Sequence, residues 1–344
     1  MRFLFLWCVG LILGLAPTIS NSNAASAPKN PAVNENFYGV QTVGDQVWIV
    51  GYYGTILHSA DRGSTWESQA TPTRNALFNA RFVDPARGWI SGSNGTLLHT
   101  VDGGQNWSAQ STGTTEHLFT SFWLDETYGW MAGSRGAVLR TVDGGRLWLH
   151  STVPGDFTFS GIAFANPTRG WIAGEFGVIF QTQDGGKSWS KQKSPIEVSF
   201  SSGESRNLFA LLFTAPEKGF AFGLDGLVLK TRNGITWDIV RQRTDNSSAT
   251  GANHLFAAAG SNERLWVVGE RGTFLQADID GTSWRQVSSE IPRLSLNAIA
   301  FGKDGLGVVV GNRGLVLRSE DRGANWKRLK INLRPSVKDS ILAP

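Results

Sequence analysis

The chain has a single cysteine, Cys8, placed in the apolar stretch that opens the sequence. Past that point no thiol remains. This excludes a disulfide framework, a cysteine nucleophile and a cysteine-ligated zinc site from the body of the protein. Histidine is almost as scarce, with five residues (His58, His99, His117, His150 and His254) and no His-x-x-x-His pair, so no metal site is expected. After Ala16 no hydrophobic stretch approaches membrane-spanning length. A run of basic residues with interleaved aromatics is also missing. The net charge of +4 comes from acidic and basic residues interspersed along the chain, which argues against a nucleic-acid partner.

The first residues differ in kind from the rest. Met1-Arg2 precedes an uncharged apolar run from Phe3 to Ala16, followed by polar and Ala-rich sequence to Ala27. That order predicts a secretory signal peptide over 1–27, with cleavage after Ala24, Ala25 or Ala27; an uncleaved anchor is the alternative. Residues 28–36 read as a linker. The expected product is exported, periplasmic or extracellular, with no membrane span after cleavage.

What the chain has in abundance is repetition. A phrase of Gly-x-x-Gly, an apolar strand and Asp-x-Gly-x-x-Trp recurs, as in Gly92-Ser-Asn-Gly95 through Asp102 to Trp107. Its closing tryptophans are Trp66, Trp107, Trp148, Trp189, Trp237, Trp284 and Trp326, spaced by 41, 41, 41, 48, 47 and 42 residues. A period near 42 residues with several short strands per copy is the signature of a β-propeller. The expected fold is all-β: a seven-bladed β-propeller of four-stranded antiparallel blades over 37–331, with a C-terminal tail at 332–344. How the ring closes is left open.

Each copy divides into four strands, A to D, from the centre outward. In the third, His117–Trp123 forms A, Trp130–Gly133 forms B, Gly136–Thr141 forms C, and D surrounds Trp148. The C–D turn follows the Asp-box pattern at Asp61, Asp102, Asp143, Asp184 and Asp321. A short acid there accepts hydrogen bonds from its own turn, and the Trp buries its ring beside it, so these residues are assigned to structure. The fifth copy has Asn233 in place of Asp. The sixth has Ala277 and Ile279 at the Ser/Thr and Asp places, with Asp280 one step late, so both turns are expected to be less firmly fastened. Trp48, Trp89, Trp130, Trp171 and Trp266 recur on strand B and read as packing residues, as does Trp123 on strand A. A strand-C position holding His58, His99, Arg140, Gln181, Lys230, Gln276 and Arg318 reads as a solvated column.

Function must then lie where the repeat varies. Strand alternation puts B–C turns and D–A connections on one face. The residue before the second glycine of each B–C turn is Tyr53, Asn94, Arg135, Phe176, Asp225, Arg271 or Arg313, so Arg135, Arg271 and Arg313 are candidates for a basic patch. The two expanded spacings enlarge D–A connections on this same face and bring Arg206, Arg241 and Arg243 with them. Carboxylates on the face include Glu175, Glu204, Asp225 and Glu270. A glycosidase pair among them would need a separation of about 5–9.5 Å.

The phrase Gly-Trp-x-x-Gly-x-x-Gly through Asp-Gly-Gly-x-x-Trp, seen from Gly129 to Trp148 and from Gly170 to Trp189, resembles the exported propeller family of photosystem II assembly and stability factors. That resemblance implies a non-enzymatic protein that binds a membrane protein through an arginine-rich patch. It points to Arg135, Arg271 and Arg313, each inside a Gly-x-Arg-Gly motif. Cyanobacterial members often carry a lipid-anchor cysteine after the signal, and this chain has none. The combined expectation is a monomeric scaffold without cofactor, binding a protein partner such as a membrane protein or transporter complex. The alternative is a sialidase-like glycoside hydrolase. A sialidase needs an arginine triad and a Tyr/Glu pair, and the only tyrosines are Tyr38, Tyr52, Tyr53 and Tyr128.

Overall fold

Val47, Trp48, Ile49 and Val50 are consecutive, and every one is fully buried. Successive strand residues point to opposite faces, so this strand must be covered on both sides. The computed structural model, which describes residues 35–197, 206–242, 253–261, 264–287, 291–331 and 333, shows what covers it. Val47 and Ile49 pack with Val308, Val310 and Val316 of the last repeat, whereas Trp48 and Val50 pack with Leu77, Phe82 and Ile90 of the second. Each of the seven apolar clusters lies between two adjacent repeats. No blade has a private core, so the ring is expected to stand or fall as a unit.

The sheets are seven, each of four antiparallel strands in chain order. Blade 1 consists of Phe37–Val43, Gln46–Gly51, Ile56–Ser59 and Glu67–Ser68. Blade 7 consists of Leu296–Phe301, Gly307–Gly311, Val316–Ser319 and Lys327–Leu329. The innermost strands contact one another around the ring, and that of blade 1 meets that of blade 7. The ring therefore closes without exchanging a strand. Arg62 of blade 1 joins Asp45 of its own blade and Asp304 of blade 7, Arg318 donates to the Arg62 carbonyl at 2.9 Å, and Asn297 donates to the Phe37 carbonyl at 2.8 Å. Leu333 forms a parallel bridge to Trp66, much as Thr152 after blade 3 bridges to Ser188 of blade 4. The predicted signal peptide, residues 28–34 of the linker, and 332 and 334–344 of the tail lie outside the described residues.

The strand-B tryptophans reach forward to the next blade. Trp48 stacks on Phe82, Trp89 on Trp123, Trp130 on Phe164 and Trp171 on Phe213, with ring centroids 3.7, 3.6, 3.7 and 4.0 Å apart. Trp123 thus occupies the place that phenylalanine holds in neighbouring blades. The indoles of Trp48, Trp130 and Trp171 donate to the carbonyls of Gly103, Gly185 and Gly234 in the next blade's C–D turn.

Those turns are fastened twice. The Thr141 hydroxyl accepts from Gly145 N–H at 2.9 Å, and the Asp143 carboxylate accepts from Leu147 N–H at 3.0 Å; Asp61, Asp102, Asp184 and Asp321 repeat the arrangement. Asn325 N–H, then its side-chain amide, hold the Asp321 carboxyl down to about 2. For Asp184, partial burial pushes upward, but hydrogen bonds from the Ser188 hydroxyl and N–H outweigh it and leave the group at about 2. The fifth turn departs from expectation, whereas the sixth is less fastened as expected but uses a different acid. The fifth turn keeps both fastenings, with Asn233 accepting from Ile235 and Thr236 N–H and Thr231 accepting from Gly234 N–H. In the sixth, Asp278 rather than Asp280 takes the carboxylate role, accepting from Thr282 N–H at 2.7 Å; only the hydroxyl fastening is missing.

The strand-C column is also not solvated. Gln181, Lys230 and Gln276 are buried, and the other four are half-buried. Gln181 donates to the Gly234 carbonyl at 3.2 Å and Lys230 to the Asp280 carbonyl at 2.6 Å, while His58 and His99 stack on Trp48 and Trp89. Gln181 and Lys230 thus reach a turn carbonyl of the next blade, that of Gly234 being shared with the Trp171 indole, whereas the two histidines pack within their own blades.

Candidate functional site

Each B–C turn is tied to the D–A connection beside it, which places both on one face. Gly95 N–H donates to the Glu116 carbonyl and Gly136 N–H to that of Phe157, both at 2.8 Å. The second glycine is required: a Cβ on Gly95, at φ +68, would lie 1.9 Å from the Thr114 carbonyl oxygen. The residue before it is strained as well. Tyr53, Asn94, Arg135, Phe176, Asp225, Arg271 and Arg313 all have φ between 51 and 56, in the left-handed region. There a side chain other than glycine or asparagine costs about 1–2 kcal/mol. The conformation recurs in all seven blades, so it belongs to the repeat; Arg62 and Arg322 of the C–D turns on the opposite face share it, at φ 60 and 59.

A latch that sequence reading missed holds four of these residues. Backbone N–H groups of Asn94, Phe176, Asp225 and Arg313 donate to His117 Nδ1, Asn207 Oδ1, His254 Nδ1 and Asn36 Oδ1, at 3.1, 3.2, 3.3 and 3.1 Å. Each acceptor precedes strand A of the following blade. The signal was present in the sequence as a polar residue immediately before an apolar strand, at Asn36, His117, Asn207 and His254.

The predicted arginines take different positions. Arg135, on blade 3, is 73% exposed and 3.9 Å from Glu116. Arg271, on blade 6, is 68% exposed and 3.6 Å from Glu270. Arg313, on neighbouring blade 7, is exposed and has no ion pair among the described residues. Arg271 and Arg313 thus stand on adjacent blades, with Arg135 separated from them by the turns that carry Phe176 and Asp225. Arg241 is half-buried and donates to the Gly226 carbonyl at 2.5 Å, so it clips the B–C turn of its own blade; burial pulls its guanidinium below its ordinary value. Arg206 is half-buried, just ahead of the strand Leu208–Ala215. Arg243 and Glu204 lie outside the described residues, as does most of the two expanded connections.

An aromatic collar sits inside these turns. The second residue of strand A is Tyr38, Phe78, Phe119, Phe209 or Phe256 in blades 1, 2, 3, 5 and 6, and Ser160 or Asn297 in blades 4 and 7. Ring centroids are 5.8 Å apart for Tyr38–Phe78, 5.2 Å for Phe78–Phe119 and 5.6 Å for Phe209–Phe256, and all five side chains are half-buried. The sequence carries four of them as Leu-Phe doublets at Leu77, Leu118, Leu208 and Leu255, and the fifth as Phe37-Tyr38, the first residue of each being fully buried between blades.

The carboxylates on the face are engaged locally. Glu175 accepts from Thr158 N–H at 2.9 Å, and Asp225 and Glu270 each lie 3.8 Å from a ring nitrogen of His254. Among the described residues no group of three His, Asp or Glu side chains is arranged to hold a metal, and no helix is long and apolar enough to cross a membrane.

Sequential four-stranded blades, with variable left-handed turns around an aromatic-lined mouth, define a seven-bladed β-propeller whose one face is suited to binding. Within that class the chain belongs to the photosynthesis system II assembly factor YCF48 family, whose sequence model matches residues 64–156, 114–195, 153–232 and 233–340. A solved structure of YCF48 bound to a D1 peptide is similar, with a TM-score of 0.67 and 20% identity over 86% of this chain and 94% of that one. YCF48 from Cyanidioschyzon merolae has a TM-score of 0.64 and 20% identity over 84% of this chain and 96% of its own. An ancestral GH74 enzyme reaches a TM-score of 0.68 at 13% identity, covering 88% of this chain and 47% of that one. At these identities the structural likenesses show the fold alone. Comparison with curated proteins gave no match.

Proposed function

We propose that this protein is an exported, non-enzymatic scaffold that binds a segment of a membrane-complex subunit on its B–C and D–A face. The observation that carries the reading is the pairing of an aromatic collar with exposed left-handed turn residues, Arg135, Arg271 and Arg313 among them. Aromatic side chains offer large apolar area at low entropic cost, and arginine grips carboxylates and carbonyls with a planar fork. Support comes from the family, one solved relative of which holds a peptide. The favoured partner segment is extended, with apolar side chains for the collar and acidic groups for the surrounding arginines. The local engagement of Glu175, Asp225 and Glu270 supports binding over glycoside hydrolysis.

The test is capture from detergent-solubilised membranes of the source organism, comparing wild type with a variant in which all three arginines are replaced. A membrane protein retained by wild type and lost by the folded variant is the expected result. Equal retention by both removes the arginines from the site.

A further inference from the structure

The opposite end of the channel contains a charge that the binding face does not use. Arg81 is the fifth residue of the blade 2 innermost strand, Leu77–Phe82, near the A–B turns. At the equivalent register position the other innermost strands carry Gln41, Phe122, Ala163, Leu212, Ala259 and Ala300, so Arg81 is the one ionised group of that layer. Its side chain keeps some contact with channel water but is walled in by the strands around it. Nε donates to the Ser121 carbonyl at 3.3 Å and Nη1 to Gln41 Oε1 at 3.0 Å. No described carboxylate pairs with it, and burial alone pulls its guanidinium below its ordinary value. The acids of the A–B turns of blades 2 and 3 have local partners. Asp84 pairs with Arg87, and Asp125 accepts from Thr127 and Tyr128 N–H.

Arg81 is half-buried, and a cation partly stripped of water gains from a counter-charge. Arg81 borders a cavity of about 380 Å³ that is also lined by Gln41, Phe82, Val83, Phe122, Trp123, Leu124 and Asp125. A volume of this order suits a small ligand, since such pockets start at about 300 Å³. Arg81 brings donors that no described carboxylate engages, Val83, Phe122, Trp123 and Leu124 offer aliphatic and aromatic surface, and the exposed Asp125 carboxylate is already held by Thr127 and Tyr128 N–H. We propose that this cavity is a binding site for a small apolar monocarboxylate, with the carboxylate on Arg81 and Gln41 and the hydrocarbon body against Val83, Phe122 and Leu124. The site lies at the far mouth from the collar and is independent of the proposed partner-binding face.

Benzoate, its neutral isostere benzamide, and inorganic phosphate serve as probes, read by the Trp123 indole N–H resonance in ¹⁵N-labelled protein and by melting temperature. Benzoate is expected to shift that resonance saturably and raise the melting temperature. Benzamide and phosphate should bind at least about tenfold more weakly, the discrimination that a charge-assisted hydrogen bond supplies. Arg81→Gln should lose benzoate binding by a similar factor. No saturable shift with benzoate, or equal binding of benzoate and benzamide to wild type, overturns the proposal without reference to any variant. Undiminished benzoate binding by folded Arg81→Gln overturns it as well.

Discussion

Replacing Arg135, Arg271 and Arg313 together with glycine should change stability and binding in opposite directions. Their φ values of 51, 52 and 55 lie where a Cβ costs about 1–2 kcal/mol per residue. Glycine removes that cost but adds unfolded-chain entropy of about 0.5–1 kcal/mol. The net gain is about 0–1 kcal/mol per site, because little else is lost. Arg135 and Arg271 are mostly exposed and 3.9 and 3.6 Å from their acidic neighbours, and the latch on Arg313 uses its backbone N–H. Exposed pairs of that kind contribute about 0–1 kcal/mol. The triple variant should therefore melt at or a few degrees above wild type by calorimetry while losing partner capture. Arg313→Val, β-branched in a left-handed turn, should melt lower. A triple-glycine protein that melts well below wild type would refute the strain argument, and one that still captures partner would refute the site.

Three further outcomes follow from the scaffold. Asp184 sits at about 2 against an ordinary 3.8, so the unfolded chain binds more protons between those values; the stability from this group is complete above pH 3.8 and disappears as pH falls through about 2. Discounted for its exposure, Asp184→Asn should cost about 1 kcal/mol at pH 7 in urea titrations and close to nothing at pH 2. Trp123→Ala should cost about 3 kcal/mol by emptying the stack on Trp89, whereas Trp123→Phe, which copies Phe82 and Phe164, should cost under about 1.5 kcal/mol; equal losses would mean that the stack does not matter. A double-mutant cycle between Arg62 and Asp304 should give a coupling of about 1 kcal/mol, and zero coupling would remove that pair from ring closure.

The architecture was legible because a propeller writes its geometry into its period. Recurring tryptophans and glycines mark positions where each blade meets the same neighbour in the same way. The reading failed where a side chain answers to the next blade, roughly one repeat away. Alternation along Val228–Thr231 shows that Lys230 leaves the face opposite to Leu229, but not that the Asp280 carbonyl waits there. Likewise, aligning the sixth turn on its tryptophan puts Ile279 at the Asp place and Asp280 one step late. Asp278 works from its distance to Thr282 instead, with an extra residue before Trp284.

The proposed binding face is nominated by variability and specified further by the partners that each side chain already has. Backbone conformation does not separate Arg313 from the C–D turn arginines, since Arg62 and Arg322 have φ of 60 and 59; what separates it is its place, exposed on the B–C face with no ion pair among the described residues. The same reasoning demotes Arg241, whose contact with Gly226 accounts for it within its own blade. It also promotes residues that composition hid, because a Leu-Phe doublet looks like core until the leucine is found fully buried and the phenylalanine facing its counterparts around the ring. The repeat makes an aromatic there unnecessary for folding, as Ser160 and Asn297 take the same register position in blades 4 and 7. Where the ring folds with serine or asparagine, five aromatics at one mouth are best explained by what that mouth receives.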